Sequence, residues 1–113
     1  MAENSIITES VNFLKSLLFE KEVPYEKIIL FGSYANGKSN EDSDIDFIVV
    51  SSVFRNKDYF EKFDLTKNIK SQLVKKFDKP YDILYYSDID WETSRAVPIN
   101  EAKKYGLIVY SVN

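Results

Sequence analysis

Along the chain, apolar residues follow two rhythms. Over residues 5–21, Ile7, Val11, Leu14 and Leu18 recur every three or four positions, the period of a helix that buries one stripe. Asn4 or Ser5 offers a cap at its start and Pro24 a stop beyond its end. From Asp58 to Phe77 the helical rhythm returns at Phe60, Phe63, Ile69, Leu73 and Phe77, with Lys67, Lys70, Lys75 and Lys76 on the wet side. Four short runs are instead continuous or alternating: KIILF (27–31), DIDFIVV (44–50), PYDILYY (80–86) and LIVYSV (107–112). Each reads as a strand. Pro98 suits the first turn of a short helix that Gly106 closes, while SDIDWETSRAV (87–97) fits neither rhythm. Helices alternating with strands predict an α/β (α+β) fold: a small mixed four-stranded sheet flanked by helices in one pair of layers.

Composition narrows the chemistry. The 113 residues form one expected domain, 1–113, without repeats or linkers. At 44% hydrophobic and 15% aromatic, the chain can bury a real core. It has no cysteine and no histidine, so any acid, base or metal ligand must be Asp, Glu, Lys, Tyr or a hydroxyl. Thiolate zinc sites, Ser-His-Asp triads and Cys-His nucleophiles are excluded. The net charge of −3 argues against general nucleic-acid binding, and no apolar run approaches a membrane span. No basic start leads into an apolar leader either, so a soluble cytoplasmic protein is expected. Most aromatics are expected in the core, with Tyr85, Tyr86 and Trp91 as a possible partner surface, and Arg55 simply on the outside.

The stretch FGSYANGKSNEDSDID (31–46) supports two chemistries. Gly32, Gly37, Lys38 and Ser39 satisfy the phosphate-loop pattern, which needs a strand before it and a helix after it. The strand is there. The helix is not, because Ser39 to Asp44 is polar and the chain then enters a strand. The second pattern is a Gly32-Ser33 turn, ten residues, then Asp44 and Asp46.

Strand alternation places Asp44 and Asp46 on one face, about 6.6 Å apart along the backbone, with Ile45 and Phe47 turned inward. At that distance two carboxylates repel by about 2–3 kcal/mol. Hard divalent cations reverse that sign, since Mg²⁺ takes one or two carboxylates together with phosphate oxygens. Asp82, inside an otherwise apolar strand, faces away from Tyr81 and Ile83. It joins the pair if the third strand lies beside the second. Gly32 permits a sharp turn and close approach, and Ser33 opens a short helix whose hydroxyl and free amides can hold a polyphosphate.

GSYANGKSNEDSDID followed by YDILYY resembles the DNA polymerase beta-type nucleotidyltransferase superfamily. In length the chain is similar to its minimal branch, the antitoxin partners of HEPN-domain toxins. The resemblance implies a nucleotidyltransferase-like fold and metal-dependent transfer of AMP from ATP to a hydroxyl. It further implies that Asp44, Asp46 and Asp82 are catalytic and bind metal, two Mg²⁺ ions or Mn²⁺, and that Gly32, Ser33 and Lys38 contact the nucleotide. The implied partner is a HEPN-type toxin in a hetero-oligomer, with no membrane and no direct nucleic-acid contact. Two other readings stand beside it: a transferase acting on a small-molecule hydroxyl, and an antitoxin that works by binding alone. Asn36, where many members carry Arg, favours the last, because the point charge of Lys38 does not replace a bidentate guanidinium.

Overall fold

The computed structural model describes residues 2–112. Helix α1 (Ala2–Glu20) buries Val11, Leu14, Leu17 and Leu18 on one stripe. It ends well before Pro24, and by a different device from the one expected. Glu22 turns left-handed (φ 58), its amide donates to the Phe19 carbonyl, and the Val23 amide donates back to Leu18. That is a Schellman closure, sealed by Val23 and Leu18 in the same apolar cluster.

Strand β1 (Lys27–Phe31) leads into the one-turn helix α2 (Ser33–Asn36), and β2 (Ile45–Val50) follows after a polar loop. The segment expected as one helix over 58–77 is two, α3 (Tyr59–Thr66) and α4 (Ile69–Phe77). A capping box between Asp58 and Glu61 starts α3, and Asn68 in a left-handed conformation (φ 73) breaks the run. The break rotates the two halves independently. Ile69 and Leu73 are fully buried, whereas Tyr59, Phe60 and Phe63 remain 74%, 74% and 51% exposed. Helical spacing at Phe60 and Phe63 therefore did not mark a core stripe.

Strand β3 (Tyr81–Tyr86), helices α5 (Asp88–Thr93) and α6 (Val97–Tyr105), and β4 (Leu107–Ser111) complete the domain. The ambiguous segment after β3 becomes α5 because the Ser87 hydroxyl caps it, accepting from the Asp90 amide. The sheet order is β3-β2-β1-β4, with β1 antiparallel to both β2 and β4 and β2 parallel to β3.

Helices cover both faces of this sheet, so the architecture has three layers rather than one pair. Ile28, Leu30, Ile45, Phe47, Val49 and Tyr81 meet α1 and α4 on one side. Ile29, Ile48 and Val50 meet Trp91, Ile99 and Ala102 on the other. Trp91 is thus a core residue, not part of a partner surface. Gly106 lets α6 lie this close: a Cβ there would collide with the Ala102 carbonyl and press at 3.0 Å on Ile29 Cγ2. Arg55 is on the surface as expected, where its guanidinium holds the Asp88 carboxylate through Nε (2.8 Å) and a second, shorter contact. No described helix is long and apolar enough to cross a membrane.

Candidate active site

The even positions of β2 face the α5–α6 side, yet those helices cover only its far end. At the near end Asp46 stands where Ile48 and Val50 stand farther along. The pairing sets its neighbours. Across the antiparallel ladder Asp46 lies opposite Phe31, the residue before Gly32, and across the parallel ladder it lies opposite Asp82. The parallel pairing begins where the Ile45 amide donates to the Pro80 carbonyl at 2.9 Å, which brings the third strand to the place the alternation required. Tyr81 is buried in the opposite cluster, so Asp82 faces the Asp46 side, as strand alternation predicts.

Gly32 has φ 74 and ψ −155, a conformation open to glycine and strained for other residues. It is also a cradle, because a Cβ at that position would overlap Asp46 Oδ2. The Gly32 carbonyl then accepts from the amides of Ala35 (3.0 Å) and Asn36 (3.2 Å), which winds α2. The turn closes at Gly37, and the Lys38 amide donates to the Ser33 carbonyl at 3.0 Å. Ser33 is the first residue of this turn. No helix follows Lys38, so the context of a phosphate loop is missing here. The lysine is exposed, and the structure does not bring its ammonium to the carboxylates.

The loop that carries Asp44 is held by its own polar groups. Asn40 Oδ1 accepts from the Asp42 amide (2.8 Å), and Ser43 Oγ accepts from the Asn40 amide (2.9 Å). Lys79, just ahead of β3, reaches both Tyr34 Oη and the Glu41 carbonyl at 3.4 Å. It ties the loop, α2 and the third strand into one frame. Sequence reasoning passed over Lys79; its place one residue before Pro80 at the start of a strand was the available signal. Asp44 itself lies one residue before β2, exposed.

The electrostatics follow from this packing. Partial burial, then the charges of Asp82 and of Asp44, push the Asp46 carboxyl up to about 6. Among the described residues, Arg55–Asp88 is the one ion pair, so none of the three carboxylates has a cationic partner among them. Nor do any three acidic side chains among the described residues close into an ion-sized cage. Asp46 and Asp82, opposite each other on the ladder, and Asp44 two residues before Asp46 offer hard oxygen donors with excess negative charge. That donor chemistry fits Mg²⁺ or Mn²⁺ shared with phosphate and does not fit a closed structural metal.

The nucleotidyltransferase domain family matches residues 12–108, and the chain belongs to it. A candidate protein adenylyltransferase of Methanocaldococcus jannaschii is 34% identical over 103 residues, covering 86% of this chain and 92% of that one. The fold is also similar to a chain of a toxin–antitoxin complex solved with AMP-PNP, with TM-score 0.64, 22% identity, and 90% and 73% of the two chains covered. A complex of a tri-AMPylated Shewanella oneidensis HEPN toxin with its MNT antitoxin gives TM-score 0.58 and 19% identity, covering 92% and 71%.

Proposed function

We propose that this chain transfers AMP from ATP to a hydroxyl of a HEPN-type toxin, neutralising it as the antitoxin of the pair in a hetero-oligomer. The observation that carries the reading is the position of Asp46, seated against Gly32 on one side and paired with Asp82 on the other. In this reading the line runs from phosphate-binding backbone through metal-binding carboxylate to the acceptor side across the sheet end. Relatives support the reading from two directions: the 34% identical archaeal protein by its name, and the neighbouring MNT antitoxin by its AMPylated toxin partner.

In this scheme Asp44 and Asp46, with Asp82, hold the metal, and Gly32 and Ser33 bind the β- and γ-phosphates through amides and the Ser33 hydroxyl. Mg²⁺ bound there would offset the triphosphate charge and help align it for in-line displacement. The acceptor oxygen bonds to the α-phosphorus, the bond from that phosphorus to the bridging oxygen breaks, and pyrophosphate leaves. Asp82, the exposed carboxylate on the open side, receives the hydroxyl proton. Lys38 adds only a long-range favourable charge. The modified toxin gains negative charge and bulk that oppose an approaching RNA phosphate.

Co-expression with a HEPN-type toxin tests the proposal by intact mass. Mass additions of AMP units are expected with the wild type and none with Asp44→Asn combined with Asp46→Asn. A toxin that stays unmodified, and is neutralised equally by the double variant, would instead establish an antitoxin that works by binding alone.

A further inference from the structure

A groove of about 1040 Å³ runs along the outer side of β3, walled by α3 and α4. Its lining includes Tyr59, Phe63 and Val74, which are among the exposed large apolar side chains, together with Lys70 and Lys75. Asp82 lines it too, so the groove opens directly into the proposed site. Burying an apolar face is the usual reason to expose one, and clustered exposed aromatics mark a contact surface.

Three observations say what lies there. Across the sheet end the order runs Gly32, Asp46, Asp82 and then the groove. A triphosphate on the Gly32 side leaves the groove on the acceptor side. The groove wall carries Lys62, Lys70 and Lys75 against a single acid, Asp82, on a chain whose net charge is −3. Such a wall selects an acidic occupant. Finally, β3 is a sheet edge, but Lys62 Nζ already donates to the outward Tyr85 carbonyl at 2.8 Å. A lysine in that position blocks strand addition at that point, so the occupant is held by its side chains.

We infer that this groove seats the acceptor segment of the modified protein, an extended stretch in which apolar side chains and carboxylates flank the hydroxyl to be adenylylated. The inference rests on the AMP-transfer reading and adds how that reading chooses its substrate. Phe63 and Val74 take the apolar side chain, Lys70 and Lys75 pair with the carboxylates, and docking presents the hydroxyl to Asp82. Proximity of this kind supplies much of the rate that an open site otherwise lacks.

The test combines Lys70→Glu with Lys75→Glu, both on the exposed side of α4, and separately uses Phe63→Ala. AMP transfer to a purified HEPN-type toxin is measured against the toxin concentration, alongside thermal stabilisation by ATP and Mg²⁺. The charge-reversed variant is expected to raise KM for the protein acceptor at least tenfold, and Phe63→Ala several-fold. Both should keep wild-type kcat at saturation and wild-type stabilisation by ATP. Unchanged KM in both variants, beside an active wild type, would overturn the groove's role and leave the transfer reading intact. Weakened stabilisation by ATP would assign the groove to the nucleotide and overturn the inference as well. A wild type that labels no protein would remove the transfer reading, and the groove's role with it.

Discussion

On the sheet face that looks toward α5 and α6, β2 presents Asp46 near one end and Val50 at the other, four residues and roughly 13 Å away. The backbone is the same extended ladder at both. At the far end Trp91, Ile99 and Ala102 lie over Ile48 and Val50 and close a dry cluster. At the near end α5 and α6 give no such cover, and Asp46 is left half-buried beside an exposed Asp82. The difference comes from the covering helices rather than from the strand. Gly106 anchors α6 against Ile29 and Leu30, which fixes how far the cover extends. One face is thereby divided into a region that stabilises and a region kept open, where like charges are held together at a cost to stability.

That division predicts opposite responses to substitution. The largest effect is expected at the open end: Asp46→Asn or Asp44→Asn should lower AMP transfer about a thousandfold or more, at least ~4 kcal/mol in the barrier. Neither should lower the melting temperature, since each removes repulsion. A melting temperature that falls together with activity would break the comparison. At the covered end Ile99→Ala should cost about 2–5 kcal/mol of stability by leaving a cavity, read as a lower denaturation midpoint. The fraction still folded should turn over normally. Gly32→Ala comes next, because it combines a left-handed backbone with overlap on Asp46. It should destabilise by about 1–3 kcal/mol and also slow transfer, as the carboxylate is displaced. Lys38→Ala should cost only about tenfold in rate, ~1.4 kcal/mol.

The smallest effect is a pH dependence without metal. The Asp46 carboxyl, at about 6, lies above its ordinary 3.8, so the folded chain holds that proton more tightly than the unfolded chain does. Its contribution favours folding most below about pH 4 and fades as pH rises through 6. In EDTA the wild type should therefore lose melting temperature between about pH 4 and 6 relative to Asp46→Asn. Mg²⁺ with ATP should reverse the trend by binding the ionised form.

Much of the site was legible in the chain because strand alternation is a rigid rule. The runs at 27–31 and 44–50 located β1 and β2, and alternation around Asp46 and Asp82 specified which way each carboxylate faces. The parallel pairing of β2 and β3 then joined them. What stayed hidden depends on relations that no local rhythm encodes. Asn68 breaks a helix without a glycine or proline to announce it, so Phe60 and Phe63 passed for core residues. The same break left Phe63, Lys70 and Lys75 unrecognised as neighbours in one groove. Layer count was hidden too, since the α5 segment fits neither rhythm until its Ser87 cap and the burial of Trp91 are seen together. The bidentate pair of Arg55 and Asp88 spans 33 positions and has no sequence signal at all.

Which phosphate of ATP leaves with the acceptor tests the central claim most directly. Parallel reactions with ATP labelled at the α- or the γ-phosphate, the HEPN-type partner and Mg²⁺ would be compared for label on protein. The carboxylate site at the open end of the sheet requires label from the α position alone, lost in Asp46→Asn and largely kept in Lys38→Ala. Label from the γ position, or transfer that survives Asp46→Asn but fails in Lys38→Ala, would contradict it.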